Sequence, residues 1–345
     1  MKSIMTSRFI AFATASLLAL PAFTLDCANN SASGQAPAEE QQVIVKETTI
    51  IYHNDLLTPP HIPDYMVFAG DTVWMNRADI RERLDRELLA FSYMHSNSML
   101  MIKRANRYFP QVEPILESEG IPDDLKYLMA IESNCDPSAV STAGAAGLWQ
   151  FMKGTAQDYG LVVDGEVDER YNIEKETRAA CKYLRKSYQN YGDWMSVAAS
   201  YNAGPRSVSE RLEEQKQTSA LDVWLVNETS RYMFRVLVAK MFFENPTAFG
   251  FTFNESDLYP YIPAKKYVTV SGPVTDLVEF AAQHGVSYAQ LKRANLWIRG
   301  KKIENKAKNT YKIAIPDIEK EKYDPSKTKA HNEAWVRKPD DYFQE

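Results

Sequence analysis

The sequence predicts a mainly α-helical protein in two parts, a helical domain followed by a small βααβ module. Three observations carry this. Apolar residues recur at spacings of three and four from about Asp79 to Pro246, and strand-like runs are scarce there. A Pro-rich, aromatic stretch, Asn254–Pro263, then interrupts the pattern. Beyond it, residues 265–317 alternate like a strand, give two short helical patterns, and close on a second strand. The 345 residues suit about two domains. With 45% apolar and 25% charged residues, wholesale disorder, a collagen-like chain and a disulfide scaffold are excluded. A net charge of −5 makes a poor polyanion binder, so nucleic acid is set aside as a partner.

The elements follow in chain order. Lys2 and Arg8 precede an apolar run from Phe9 to Phe23 that is too short to span a bilayer and is broken by Pro21. Residues 1–26 therefore read as a signal peptide of an exported protein. Cys27 suggests lipid attachment, but Leu25 and Asp26 stand where small residues are expected; a membrane contact is expected only if Cys27 is lipidated. Residues 27–73 read as a linker and extended segment hugging the surface, with Pro59, Pro60 and Pro63. Leu84, Leu88, Leu89, Met99, Ile102 and Ala105 mark helix from about Asp79 to Phe109. The helical domain is placed at 74–253. The charged stretch 318–345 reads as a disordered tail. Export implies an oxidising compartment. Cys135 and Cys181 then either pair or stand as two separate buried thiols; a bridge would close about 45 residues and add about 3–4 kcal/mol.

Much chemistry is absent. No phosphate loop, dinucleotide fingerprint, nucleophile elbow or HExxH motif occurs, and the five His lack ligand spacing, so neither metal nor cofactor is expected. One carboxylate stands out. Pro122, Asp123 and Asp124 suit a helix start, and Pro137 bounds its end near Asn134. Glu132 lies seven residues after Leu125 and four after Leu128, on the same stripe as Met129. On spacing alone it is either a frayed-end Glu reaching water or a carboxyl kept neutral by apolar surroundings, as a general acid requires.

Wider motifs bear on that choice. Glu132-Ser133 is followed by Pro137, Ser141, Gly144, Gly147-Leu148-Trp149-Gln150-Phe151-Met152 and Thr155. Ala199-Ser200-Tyr201-Asn202-Ala203-Gly204 and Glu228-Thr229-Ser230-Arg231-Tyr232 come later. As an ordered set over roughly residues 80–245, these resemble the lytic transglycosylases of goose-type lysozyme-like fold. The resemblance implies that Glu132 is the sole catalytic acid and base. It implies that Ser141 and Gln150 hydrogen-bond the sugar, that Met152 packs in the cleft, and that Tyr201, Asn202 and Tyr232 border the catalytic carboxyl. Read from the residues alone, Gln150 fits a turn, Tyr201 and Tyr232 fit a core, and Gly204 fits a helix C-cap. Asp168, Glu169 and Arg170 read as a structural ion cluster.

The implied reaction is non-hydrolytic cleavage of the MurNAc–GlcNAc β-1,4 bond of peptidoglycan, leaving 1,6-anhydroMurNAc ends. The alternatives are a hydrolytic muramidase and a non-catalytic wall-binding protein. A monomer is expected, exported to the periplasm, with outer-membrane anchoring resting on Cys27.

In residues 265–317, Tyr267–Val270 reads as a strand, Thr275 as the cap of a helix over Leu277, Phe280 and Ala281, Ser287 as the start of a second helix, and Lys312–Ile315 as the closing strand. This is similar to a LysM peptidoglycan-binding module, with Pro273 in place of the usual Asp. It is expected to concentrate the enzyme on the wall without touching the chemistry, so that a chain ending near Pro263 cleaves short soluble fragments almost normally.

Overall fold

The computed structural model describes residues 60–337. Residues 1–26, read as a signal peptide, and Cys27 lie outside the described residues. Two strands, β1 (Tyr65–Phe68) and β2 (Asp71–Trp74), pair antiparallel with Phe68 opposite Asp71. Ala69 and Gly70 both take positive φ, 53° and 95°, the twist a two-residue hairpin turn requires. Met66, Phe68, Val73 and Met75 are buried. The end of the stretch predicted as an extended surface segment is thus a hairpin built into the core, because every second side chain faces inward.

Eight helices follow: α1 (Ala78–Tyr93), α2 (His95–Ser118), α3 (Leu125–Ser133), α4 (Lys153–Asp158), α5 (Ile173–Tyr191), α6 (Trp194–Ala203), α7 (Pro205–Glu214) and α8 (Asn227–Glu244). The single helix predicted from Asp79 onward is broken at Met94, which leaves helical backbone with ψ 52°. α8 is the axis of the domain. Tyr232, Met233, Phe234, Val236, Leu237, Val238 and Phe242 are all buried, so it is apolar on nearly every side, and α1, α3 and α6 pack around it.

The second unit has the predicted βααβ order. β3 (Lys266–Val270) pairs antiparallel with β4 (Tyr311–Ile315), with Lys266 opposite Ile315. Between them lie α9 (Leu277–Gln283) and α10 (Tyr288–Ala294). Asp276, rather than Thr275, caps α9, accepting from the Val278 and Glu279 amides. Ser287 caps α10 in a reciprocal pair with Gln290.

The stretch after Pro316, read as a disordered tail, is folded through residue 337. Trp335 is 1% exposed among Phe109 and Phe243, and its indole N–H donates to the Phe243 carbonyl at 2.7 Å. One large aromatic anchors a segment whose composition is otherwise that of a solvated chain. Cys135 and Cys181 are both free. Each fills its own place in the core as a small apolar residue, and burial pushes the Cys181 thiol up to about 12.

The βααβ unit packs directly on the helical domain. Ala146, Val167 and Tyr171 of the helical domain share one apolar cluster with Leu277, Leu291, Trp297, Ile303 and Ile313. Val167 bridges Ile298, and the Asp168 amide donates to the Trp297 carbonyl at 2.8 Å. The Arg299 and Gly300 amides both donate to the Glu166 carbonyl, at 2.8 and 3.1 Å. The Arg299 guanidinium sits 4.6 Å from the centre of the Tyr171 ring.

Candidate active site

Glu132 stands in the last turn of α3. Leu125, Leu128 and Met129 on its stripe are fully buried, while Glu132 itself is half-buried. Asn134 and Cys135, at φ 54° and 52°, end the helix abruptly in left-handed backbone. The Glu132 carboxyl is therefore fixed at the edge of the core. Tyr232 of α8 donates its hydroxyl to Glu132 Oε1 at 2.5 Å. Burial pushes the Glu132 carboxyl up to about 7, against the downward pull of the Tyr232 hydrogen bond and the Arg235 charge. Glu228 pushes in the same direction as burial, and it is tied to Arg235. Burial also holds the Tyr232 and Tyr201 hydroxyls well above the usual range, so both remain donors.

A loop from Ala139 to Phe151 lies between α3 and α4 and meets Tyr201 of α6 through the Trp149 carbonyl. Ala146 bridges both Val140 and Phe151, folding the loop on itself. Gln150 takes φ 49°, and its Nε2 donates to the Ala139 carbonyl at 3.1 Å and the Gly147 carbonyl at 2.8 Å. The predicted sugar ligand is thus also the staple of its own loop, which leaves its amide oxygen for a ligand. Ser141 is exposed, and its Oγ accepts from the Ala145 amide at 3.0 Å. Met152, 46% exposed, precedes α4 and is not packed into the protein. Tyr201 of α6 donates to the Trp149 carbonyl at 2.6 Å, and Asn202 Oδ1 accepts from Thr229 at 2.9 Å. α3, α6 and α8 thus bring Glu132, Tyr201, Asn202 and Tyr232 together, while Ser141, Gln150 and Met152 come from the loop.

Asp168 and Arg170, read from the sequence as part of a structural ion cluster, form one, and what the sequence did not show is that it holds this loop. Arg170 forms a two-pronged pair with Asp168, at 2.9 and 2.7 Å, and donates to the carbonyls of Gly144 at 2.8 Å and Phe151 at 3.0 Å. Glu176, fully buried on α5, accepts from the Trp149 amide at 3.2 Å, and Thr177 accepts from the Trp149 indole at 3.0 Å. Gly147 is squeezed between these groups. At φ 82°, a Cβ there would lie 1.7 Å from the Arg170 carbonyl oxygen and 2.4 Å from Glu176 Oε2, so only Gly fits. The four-residue spacing of Glu176, Ala180 and Leu184 on α5 repeats the signal that singled out Glu132.

Two further facts bound the site. Among the described residues, no cluster of three or more His, Cys, Asp or Glu is placed to hold a metal ion, and no helix is long and apolar enough to cross a membrane. A cavity of about 780 Å³ lined by Phe109, Glu113, Lys126, Tyr127 and His331 does not include Glu132.

Residues 115–223 match the Transglycosylase SLT domain, and residues 266–319 match the Soluble lytic transglycosylase C-terminal LysM-like domain. The first match falls within the helical domain and the second on the βααβ unit. It is 29% identical over 245 residues to "Membrane-bound lytic murein transglycosylase D" of Escherichia coli strain K12, across 69% of this chain and 52% of that protein. The same figures hold for the protein of that name in Escherichia coli O6:H1. The chain therefore spans about half the length of these curated relatives. The 70 kDa soluble lytic transglycosylase of Escherichia coli is 20% identical over 47% of this chain and 30% of its own, at a TM-score of 0.36.

Proposed function

We propose that this protein is a lytic transglycosylase that cleaves the MurNAc–GlcNAc β-1,4 bond of peptidoglycan and leaves 1,6-anhydroMurNAc ends, in remodelling of the cell wall. The observation that carries this is the Glu132 carboxyl, raised to about 7 by burial and hydrogen-bonded by Tyr232, inside the SLT domain. Because Oε1 accepts from Tyr232, the acidic proton sits on Oε2. That proton passes to the glycosidic oxygen, and the C1–O bond breaks through an oxocarbenium-like state. The Glu132 carboxylate then takes the proton of the C6 hydroxyl of the same MurNAc, and O6 closes onto C1. No water is consumed, and Glu132 ends protonated, as it began.

The loop supports this chemistry by placing the sugar. Gln150 presents an amide oxygen and Ser141 a hydroxyl, while Met152 offers an apolar surface for a ring. Asn202 and Tyr201 hold Thr229 and Trp149, and so keep α8 and the loop in register. The apolar run at residues 9–23 and the name of the curated relatives support export to the periplasm, with outer-membrane anchoring if Cys27 is lipidated. The protein acts as a monomer.

The test is the mass of the ends released from purified sacculi. Ends about one water lighter than reducing MurNAc are expected. Reducing MurNAc as the main product makes the protein a hydrolytic muramidase, and no release at all makes it a wall-binding protein.

A further inference from the structure

A second site lies at the start of α8. A cavity of about 310 Å³ is lined by Arg83 and Arg86 of α1, by Trp224, and by Asn227, Ser230 and Arg231 of α8. Its lining holds three guanidinium groups and no carboxylate, in a chain whose net charge is −5. The nearby acids are already engaged. Glu87, 1% exposed, accepts from Arg231 at 2.6 and 3.3 Å and fixes that side chain. Asp79 lies 3.7 Å from Arg83 and is mainly paired with Arg77. Arg86 is exposed and has no carboxylate partner among the described residues.

Trp224 is 83% exposed, yet its backbone is clasped on both sides by one side chain. Gln215 Oε1 accepts from the Trp224 amide at 2.7 Å, and Gln215 Nε2 donates to the Trp224 carbonyl at 3.1 Å. A large aromatic standing in water on a clasped backbone, lining the same cavity as three arginines, buries little for the fold. Such a pairing recognises a planar or apolar group bearing a carboxylate: the guanidinium forks match the carboxylate and the indole covers its neighbour. The adjoining amides of α8, which has no side-chain cap at Val226, add a positive helix end.

We propose that this pocket binds the carboxylate-bearing stem peptide that hangs from the glycan, so that the enzyme prefers peptide-substituted strands. This rests on the peptidoglycan reading above. Arg231 adjoins Tyr232 in sequence, so a stem held here shares α8 with the group that orients Glu132.

The experiment compares Trp224→Ala and Arg86→Glu with the wild type on two substrates, glycan strands bearing stem peptides and the same strands stripped of peptide. Both residues are exposed, so folding is expected to persist, and circular dichroism checks it. The expected result is a loss of about 10- to 100-fold in kcat/KM on the substituted strands, the size of a lost charge-assisted contact, with unchanged turnover of stripped strands. Equal losses on both substrates, or no loss on either, overturn the proposal. Calorimetric titration with a disaccharide-tetrapeptide, against the disaccharide alone, reads the pocket without turnover. Binding that needs the peptide and is lost in Arg86→Glu supports the pocket even if the wild type cleaves neither strand, a result that would refute the activity alone. Equal binding of both ligands overturns the pocket.

Discussion

Replacing Glu132 by Gln is expected to abolish cleavage while leaving a folded, somewhat more stable protein. Gln keeps the shape and the contact with Tyr232 but can neither deliver nor take a proton. One positioned acid–base group contributes about 10²–10⁴-fold, and in the proposed mechanism the same group serves both steps, so the loss should sit at or beyond the upper end. The stability change has a defined sign. The carboxyl titrates near 7 in the fold against an ordinary 4.5. Between those values the folded protein keeps a proton that the unfolded chain releases, so wild-type stability falls as pH rises through this window. The fall is at most about 3.5 kcal/mol, since one pKa unit corresponds to about 1.4 kcal/mol. Gln lacks this slope. The variant should match the wild type in denaturant at pH 4 and exceed it at pH 8. Near-normal turnover by the folded variant would remove Glu132 from the mechanism.

A chain ending at Pro263 is expected to lose turnover even on short soluble fragments, by tenfold or more, and to unfold at a markedly lower temperature. This reverses the expectation drawn from sequence. The missing part includes Trp335, and deleting a buried Trp side chain alone costs about 3–5 kcal/mol. It also includes the apolar cluster against Ala146, Val167 and Tyr171, and the amides of Arg299 and Gly300 that hold Glu166. Ala146 lies in the site loop, and Arg170, which staples that loop, follows the segment the module holds. The module therefore supports the site. Almost normal hydrolysis-free cleavage of soluble fragments by the shortened, folded chain would return the LysM-like unit to the role of a tether.

The legible parts of the sequence were those with local causes. The stripe of α3 placed Glu132, the dense apolar spacing up to about Pro246 marked a helical domain, and Ser287 marked the start of α10. The motif set brought Ser141, Gln150, Tyr201, Asn202 and Tyr232 into view, but not the division of labour among them. Tyr201 and the Gln150 amide turn out to brace the loop, which depends on a Trp149 carbonyl and a Gly147 carbonyl that no side-chain pattern reveals. Trp335 escaped notice because a single aromatic in a charged segment has no periodicity; its partners, Phe109 and Phe243, lie 226 and 92 residues away, as their numbering gives. The docking of the second unit escaped for a related reason. Val167 and Ile298 meet through backbone pairing over a long sequence separation, and neither is unusual where it stands.

The central claim is that one buried carboxyl performs both proton transfers, and the pH dependence of kcat/KM on a soluble glycan fragment tests it most directly. The acid step needs Glu132 protonated, so the rate should fall through a single ionisation near 7 as pH rises. Since no second carboxylate acts as base, the rate should stay level on the acid side until the protein unfolds. In Tyr232→Phe the alkaline fall should move to higher pH, because the lost hydrogen bond favours the ionised form. A bell-shaped profile in the folded wild type, with an acid limb near pH 4–5, the ordinary range of a carboxylate base, would contradict the account.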